Sequence, residues 1–93
     1  LVTEDNATIL KVSAGGDANR LAAAISHAIY DGKDVTLRAI GAAAVNQGIK
    51  AIAVARGYVA SRGHSLSVVP GFTSITMPEG EVVTGLLLRV VVE

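Results

Sequence analysis

The chain reads as a two-layer α/β domain of order β-α-β-α-β-β, with a mixed four-stranded sheet and two helices on one face. Three observations predict this. Two strand-like runs, Ile9–Ser13 and Val35–Ile40, are each followed by a glycine break and then by a segment of helical periodicity. The last third holds two further strand-like runs around Pro78-Glu79-Gly80, which reads as a hairpin turn. Strand-helix-strand units imply parallel strands joined by right-handed crossovers, which places both helices on the same side of the sheet.

Ile9–Ser13 alternates enough to form the first strand, and Ala14-Gly15-Gly16 interrupts it. Asp17 is placed to cap the first helix, because its carboxylate can accept the free N–H groups of the first turn. Leu21, Ile25, Ala28 and Ile29 share one face, while Arg20, Ser26 and Tyr30 fall elsewhere. Asp31-Gly32 ends this helix, with Gly32 able to adopt a left-handed conformation. Val35–Ile40 is the second strand, bounded by Gly41.

The second helix is expected over about residues 43–60, with Val45, Ile49, Ile52, Ala55 and Val59 facing the sheet. Asn46, Lys50 and Gly57 fall on another side, with Gln47 and Val54 beside them. Gly48 and Gly57 each cost about 1 kcal/mol relative to Ala within a helix, so close packing is the expected reason for them. His64–Val69 is the third strand, expected to stop at Pro70-Gly71, with Thr73–Met77 extending it after a kink. Val82–Val92 is the longest strand, and Gly85 marks a bulge or a close approach. It is apolar on nearly every position of both faces, a pattern typical of strands covered on both sides. Self-association through this strand and the second helix follows as an expectation, with Ala43, Ala44, Leu87 and Val91 as interface residues.

Ninety-three residues suit one domain, assigned to residues 8–93, with residues 1–7 expected to be a disordered or vector-derived start. Hydrophobic residues make up 51%, which argues against intrinsic disorder. The absence of Cys excludes disulfide scaffolds, thiolate zinc sites and thiol catalysis. No apolar run approaches the ~20 residues of a membrane-spanning helix, so no membrane partner and a cytoplasmic location are expected. Net charge is zero, yet Lys11 to Arg62 carries seven basic residues against three acids, net +4. That favours a local basic surface over a uniformly basic one.

Sequence signals for catalysis are thin. His27 and His64 have no HxxxH, HExxH or HxH partner, and no serine lies in a G-x-S-x-G context. Glu79 and Glu81 stand at a hairpin tip, where solvated turn residues are expected. No enzyme, metal or cofactor is predicted. Two segments suit anions instead. One is Ala14-Gly15-Gly16-Asp17, flanked by Lys11 and Arg20, although Asp17 adds an opposing charge. The other runs from Ala39 to Lys50, where Gly41 and the alanines allow close approach and Asn46, Gln47 and Lys50 offer hydrogen bonds and charge. An alternative is that the alanines pack an interface and the polar residues are merely solvated.

Ile9–Ala14, Ala39-Ile40-Gly41-Ala42-Ala43-Ala44-Val45-Asn46-Gln47, and Lys50-Ala51-Ile52-Ala53-Val54-Ala55-Arg56-Gly57-Tyr58-Val59 together resemble the stage V sporulation protein S family. The resemblance covers about Thr8 to Val92. That family resembles Alba proteins in fold. The resemblance implies a non-enzymatic bacterial regulator of sporulation or development, a homodimer or higher oligomer, and binding to DNA or RNA. Family members usually carry a polar, often Lys- and Ser-containing loop after the first strand, where this chain has Gly15-Gly16-Asp17. DNA-coating Alba proteins extend a basic hairpin, where this chain has the short acidic Met77-Pro78-Glu79-Gly80-Glu81, which argues against minor-groove insertion. Lys11, Arg20, Asn46, Gln47, Lys50 and Arg56 are therefore the nucleic-acid-binding candidates. The competing readings are a protein–protein scaffold and a sensor of a small anionic ligand, neither binding nucleic acid.

Overall fold

The computed structural model describes residues 7–93. Its elements are β1 (Ala7–Lys11), α1 (Ala18–Tyr30), β2 (Asp34–Ala39), α2 (Ala42–Ala60), β3 (Leu66–Thr76) and β4 (Val82–Val92). The sheet order is β1-β2-β4-β3. β1 pairs with β2 in parallel, and β4 runs antiparallel to both of its neighbours. The element order and mixed sheet are those expected from the sequence. The expected extent of residues 1–7 lies outside the described residues except for Ala7, which opens β1.

The start of α1 and the ends of both helices follow from local chemistry. Asp17 caps α1, accepting the Asn19 N–H at 2.8 Å. Gly32 (φ 75°) and Gly63 (φ 81°) take the left-handed conformation just beyond each helix, where a side chain would be strained. The C-terminal ends of the two helices are tied together. The Tyr30 hydroxyl donates to the Tyr58 carbonyl at 3.2 Å, and the Arg62 guanidinium lies 4.1 Å from the centre of the Tyr30 ring.

Ile25, Leu37, Val35 and Val59 are the largest fully buried side chains, and the core lies between the helices and one face of the sheet. Four expectations need correction. Ser26 is buried and donates its hydroxyl to the Ala22 carbonyl at 2.9 Å, a bond that lets a polar side chain enter the core. On α2 the buried stripe is Ala44, Gly48, Ala51, Ile52, Ala55 and Val59, while Ile49 is 43% exposed and Val45 only half-buried. Small residues face the core because α2 lies close to the sheet: a Cβ on Gly48 would sit 3.1 Å from Leu88 Cδ1 and 3.5 Å from Leu37 Cδ1. Gly57, in contrast, is exposed with open space around it, so close packing does not explain it.

The fourth correction concerns β3. It is one continuous strand starting at Leu66, paired with β4 through Pro70↔Leu88 and Gly71↔Leu87. Pro70 is tolerated because β3 is an edge strand, where an absent N–H need not leave a gap in the middle of the sheet. β4 keeps an unbroken register past Gly85, so this glycine marks a close approach and not a bulge. A Cβ there would meet Ile75 Cδ1 at 2.8 Å and the Ala39 carbonyl oxygen at 3.1 Å. Among the described residues no helix is long and apolar enough to cross a membrane.

Candidate nucleic-acid interface

The outer surface of α2 is built from what its inner surface excludes. With the buried stripe centred on Gly48, Ala51 and Ala55, the opposite side presents Ala42, Ala43, Asn46, Lys50, Ala53 and Gly57, all exposed. Asn46 and Lys50 stand one turn apart on this crown. The side chains around them are small, so a bulky partner can approach the helix closely. Gly41 (φ 87°) turns the chain from β2 into α2 and supplies no side-chain cap, and no acid lies in the first turn. The helix start therefore keeps both its unpaired N–H groups and its partial positive charge.

The six residues expected to bind nucleic acid do not form one surface. Asn46 and Lys50 share the crown of α2. Arg56 is exposed on the flank of α2 that faces β3, beside Ile52 and Leu66. Gln47 lies on the other flank, and its Nε2 donates to the Gly16 carbonyl at 2.6 Å. Its amide thus braces the loop between β1 and α1, lining a small cleft of about 130 Å³ with Ser13, Asp17 and Leu21. Arg20 is exposed at the start of α1. Lys11 follows the alternation of β1: Leu10 and Val12 pack against the core, so the Lys11 side chain points to the sheet face away from the helices.

The four expected interface residues are likewise split. Ala43 is exposed at the start of α2, and Ala44, 3% exposed, packs inside its own chain. Leu87 and Val91 are half-buried on the sheet face away from the helices, since Leu88 and Val90 face the core. The acidic tip residues Glu79 and Glu81 are exposed.

Two features are not visible in the linear sequence as read above. One is an apolar groove of about 580 Å³ between the start of α2 and the β3–β4 hairpin, lined by Val45, Ile49, Phe72 and Leu86, with Asn46 and Gly41 at its rim. Phe72 is 82% exposed beside it. A lone Phe in a strand gives no sign of being uncovered; only the absence of a helix above this part of β3 reveals it, since α2 covers Leu66 and Val68 but not Phe72. The other is the pairing of Lys11 with Arg38 across β1 and β2, with Arg89 on the same face opposite Thr36. Strand alternation together with register would have found that group. Among the described residues no group of three or more His, Cys, Asp or Glu is placed to hold a metal ion.

The fold matches known architecture. Alba from Thermoplasma volcanium superimposes with a TM-score of 0.61 over 89% of this chain and 98% of that one. The two share 9% sequence identity, so the likeness is one of fold. The sequence resemblance is of a different kind, running through both strand-helix units and the terminal hairpin. The family model of stage V sporulation protein S matches residues 8–93, and the chain belongs to that family.

Proposed function

We propose that this chain is a small regulator of sporulation or related development that acts in the cytoplasm and binds DNA or RNA through the phosphate backbone as a dimer. The observation that carries the reading is the crown of α2. Over nineteen residues the helix has no acid, begins without a side-chain cap, and exposes Asn46 and Lys50 among alanines and glycine. A phosphate can approach such a surface closely and meet a cation, an amide and the positive end of the helix dipole. Two copies would lengthen this surface enough to follow a nucleic-acid backbone. The groove beside Phe72 and Ile49 supports self-association, because a second copy would remove that apolar area from water. The Alba-like architecture adds support to both parts of the reading.

The test is a gel-shift titration at low salt with duplex DNA, single-stranded DNA and RNA. Lys50→Glu is expected to weaken binding to all sequences alike, because phosphate contacts carry no sequence information. It should also reduce the salt slope on duplex DNA by about 0.9 for each phosphate that the protein no longer neutralises. Glu79→Ala should bind as well as the parent or slightly better. Unchanged binding by Lys50→Glu overturns the assigned surface. A parent protein that binds no nucleic acid at low salt replaces the reading with that of a protein–protein scaffold.

A further inference from the structure

The helices cover one face of the sheet and leave the other bare. Register places Ile9 and Lys11 of β1, Thr36 and Arg38 of β2, Leu87, Arg89 and Val91 of β4, and Val69 of β3 on that bare face. Ile9 is 62% and Val69 45% exposed. A shallow depression of about 240 Å³ lies between Thr36, Val69, Gly71, Leu87 and Arg89. Lys11, Arg38 and Arg89 therefore run in a band from β1 across β2 to β4, with the apolar Leu87, Val91 and Val69 beside it on β4 and β3, while the acids of the face, Asp34 and Glu93, stand toward one end.

We propose that this face docks an acidic amphipathic helix of a partner protein. A sheet face bearing Leu87, Val91, Val69 and Ile9 gains by covering them, and a helix with one apolar side is the natural cover. Four strands about 4.8 Å apart make the face roughly 15–20 Å wide. That is the length of a helix of about twelve residues. Lys11, Arg38 and Arg89 select acids on the part of that helix that lies toward β1 and β2, while its apolar side covers Leu87, Val91 and Val69. A second copy of the chain fits less well, because a two-fold axis through the middle of the face would set Arg38 and Arg89 against their own counterparts. Nucleic acid also fits less well. A phosphate backbone would meet the cations but leave Leu87, Val91 and Val69 uncovered.

The experiment maps amide shifts of the isotope-labelled full chain titrated with a synthetic helical peptide of about fifteen residues, with Leu at core spacing and Glu elsewhere. A sister peptide with Lys in place of Glu, a single-stranded RNA and a dilution series of the protein alone complete the arms. The expected result is that the acidic peptide shifts the amides around Lys11, Arg38, Leu87 and Arg89, and that the basic peptide does not. Arg38→Glu and Arg89→Glu should each weaken it by roughly tenfold while the remaining spectrum stays that of the folded chain. Equal binding of both peptides, or shifts confined to α2, overturns the proposal. So does perturbation of this face by RNA, which would make nucleic acid its occupant, or by concentration alone, which would make it a contact between copies. Loss of RNA binding at Lys50 leaves this test untouched, since the two surfaces lie on opposite layers.

Discussion

Gly48 and Gly57 lie nine residues apart in one helix and are there for different reasons. At Gly48 a methyl group would press on Leu88 and Leu37, both buried, and anything larger has nowhere to go. Gly48→Leu is expected to cost about 1–3 kcal/mol through overpacking. Gly57 has open space and an exposed position, so Gly57→Ala should gain about 0.5–1 kcal/mol from helix propensity alone. For a domain of this size that gain corresponds to a rise in Tm of roughly 4–8 °C per kcal/mol, readable by circular dichroism. Equal effects of the two substitutions would refute the packing account. The same contrast separates Ile49 from Ile52: three positions apart, one is 43% and the other 5% exposed. Periodicity puts both on the buried stripe, because an isoleucine looks the same whether it faces its own sheet or a groove.

The strands divide labour by position. β4 is central and has apolar residues on both faces; β3 carries Pro70 and Gly71 and lies at the edge. Chain order shows the hairpin but not which of its strands goes inside. Side-chain burial decides that, since the strand with more apolar surface gains more from two neighbours. Gly85 lets β4 pass close to the end of β2, where the Ala39 carbonyl lies 3.1 Å from where a Cβ would be. Gly85→Val should therefore destabilise the domain by about 1–3 kcal/mol in urea denaturation, more than a valine at an ordinary strand position. The Ile75 side chain can rotate aside, but the carbonyl belongs to the backbone and cannot. A neutral Gly85→Val would show that the hairpin shifts to relieve the contact.

The whole molecule has two layers and thus two outer surfaces, each bearing cations. The helical one carries Lys50 and Arg56, and the open sheet face carries Lys11, Arg38 and Arg89. Between the layers, at the hairpin end, lies the groove that Phe72 borders. If this groove is where two copies meet, Phe72→Glu should turn a dimer into a 9.5 kDa monomer by light scattering. Its thermal stability as a monomer should change little, because the ring is already 82% exposed within one chain. A Phe72→Glu protein that stays dimeric moves the interface elsewhere, with Leu87 and Val91 on the sheet face the next candidates.

The element order, the cap at Asp17, the turns at Gly32 and Pro78-Glu79-Gly80, and the crown carrying Asn46 and Lys50 are all legible in the linear sequence. These depend on interactions within a few residues, where propensity and spacing act directly. The family is legible as well, because its signature is a contiguous run through α2. The sites are less so. Gln47 reads as a ligand in the sequence but bonds Gly16, thirty-one residues away, and Lys11 groups with Lys50 there although the sheet separates them. Which face a side chain joins depends on register and on what covers each strand, and those are settled by burial summed over the whole fold. Only the assembled sheet leaves Phe72 bare and gathers Lys11, Arg38 and Arg89 from three strands onto one surface.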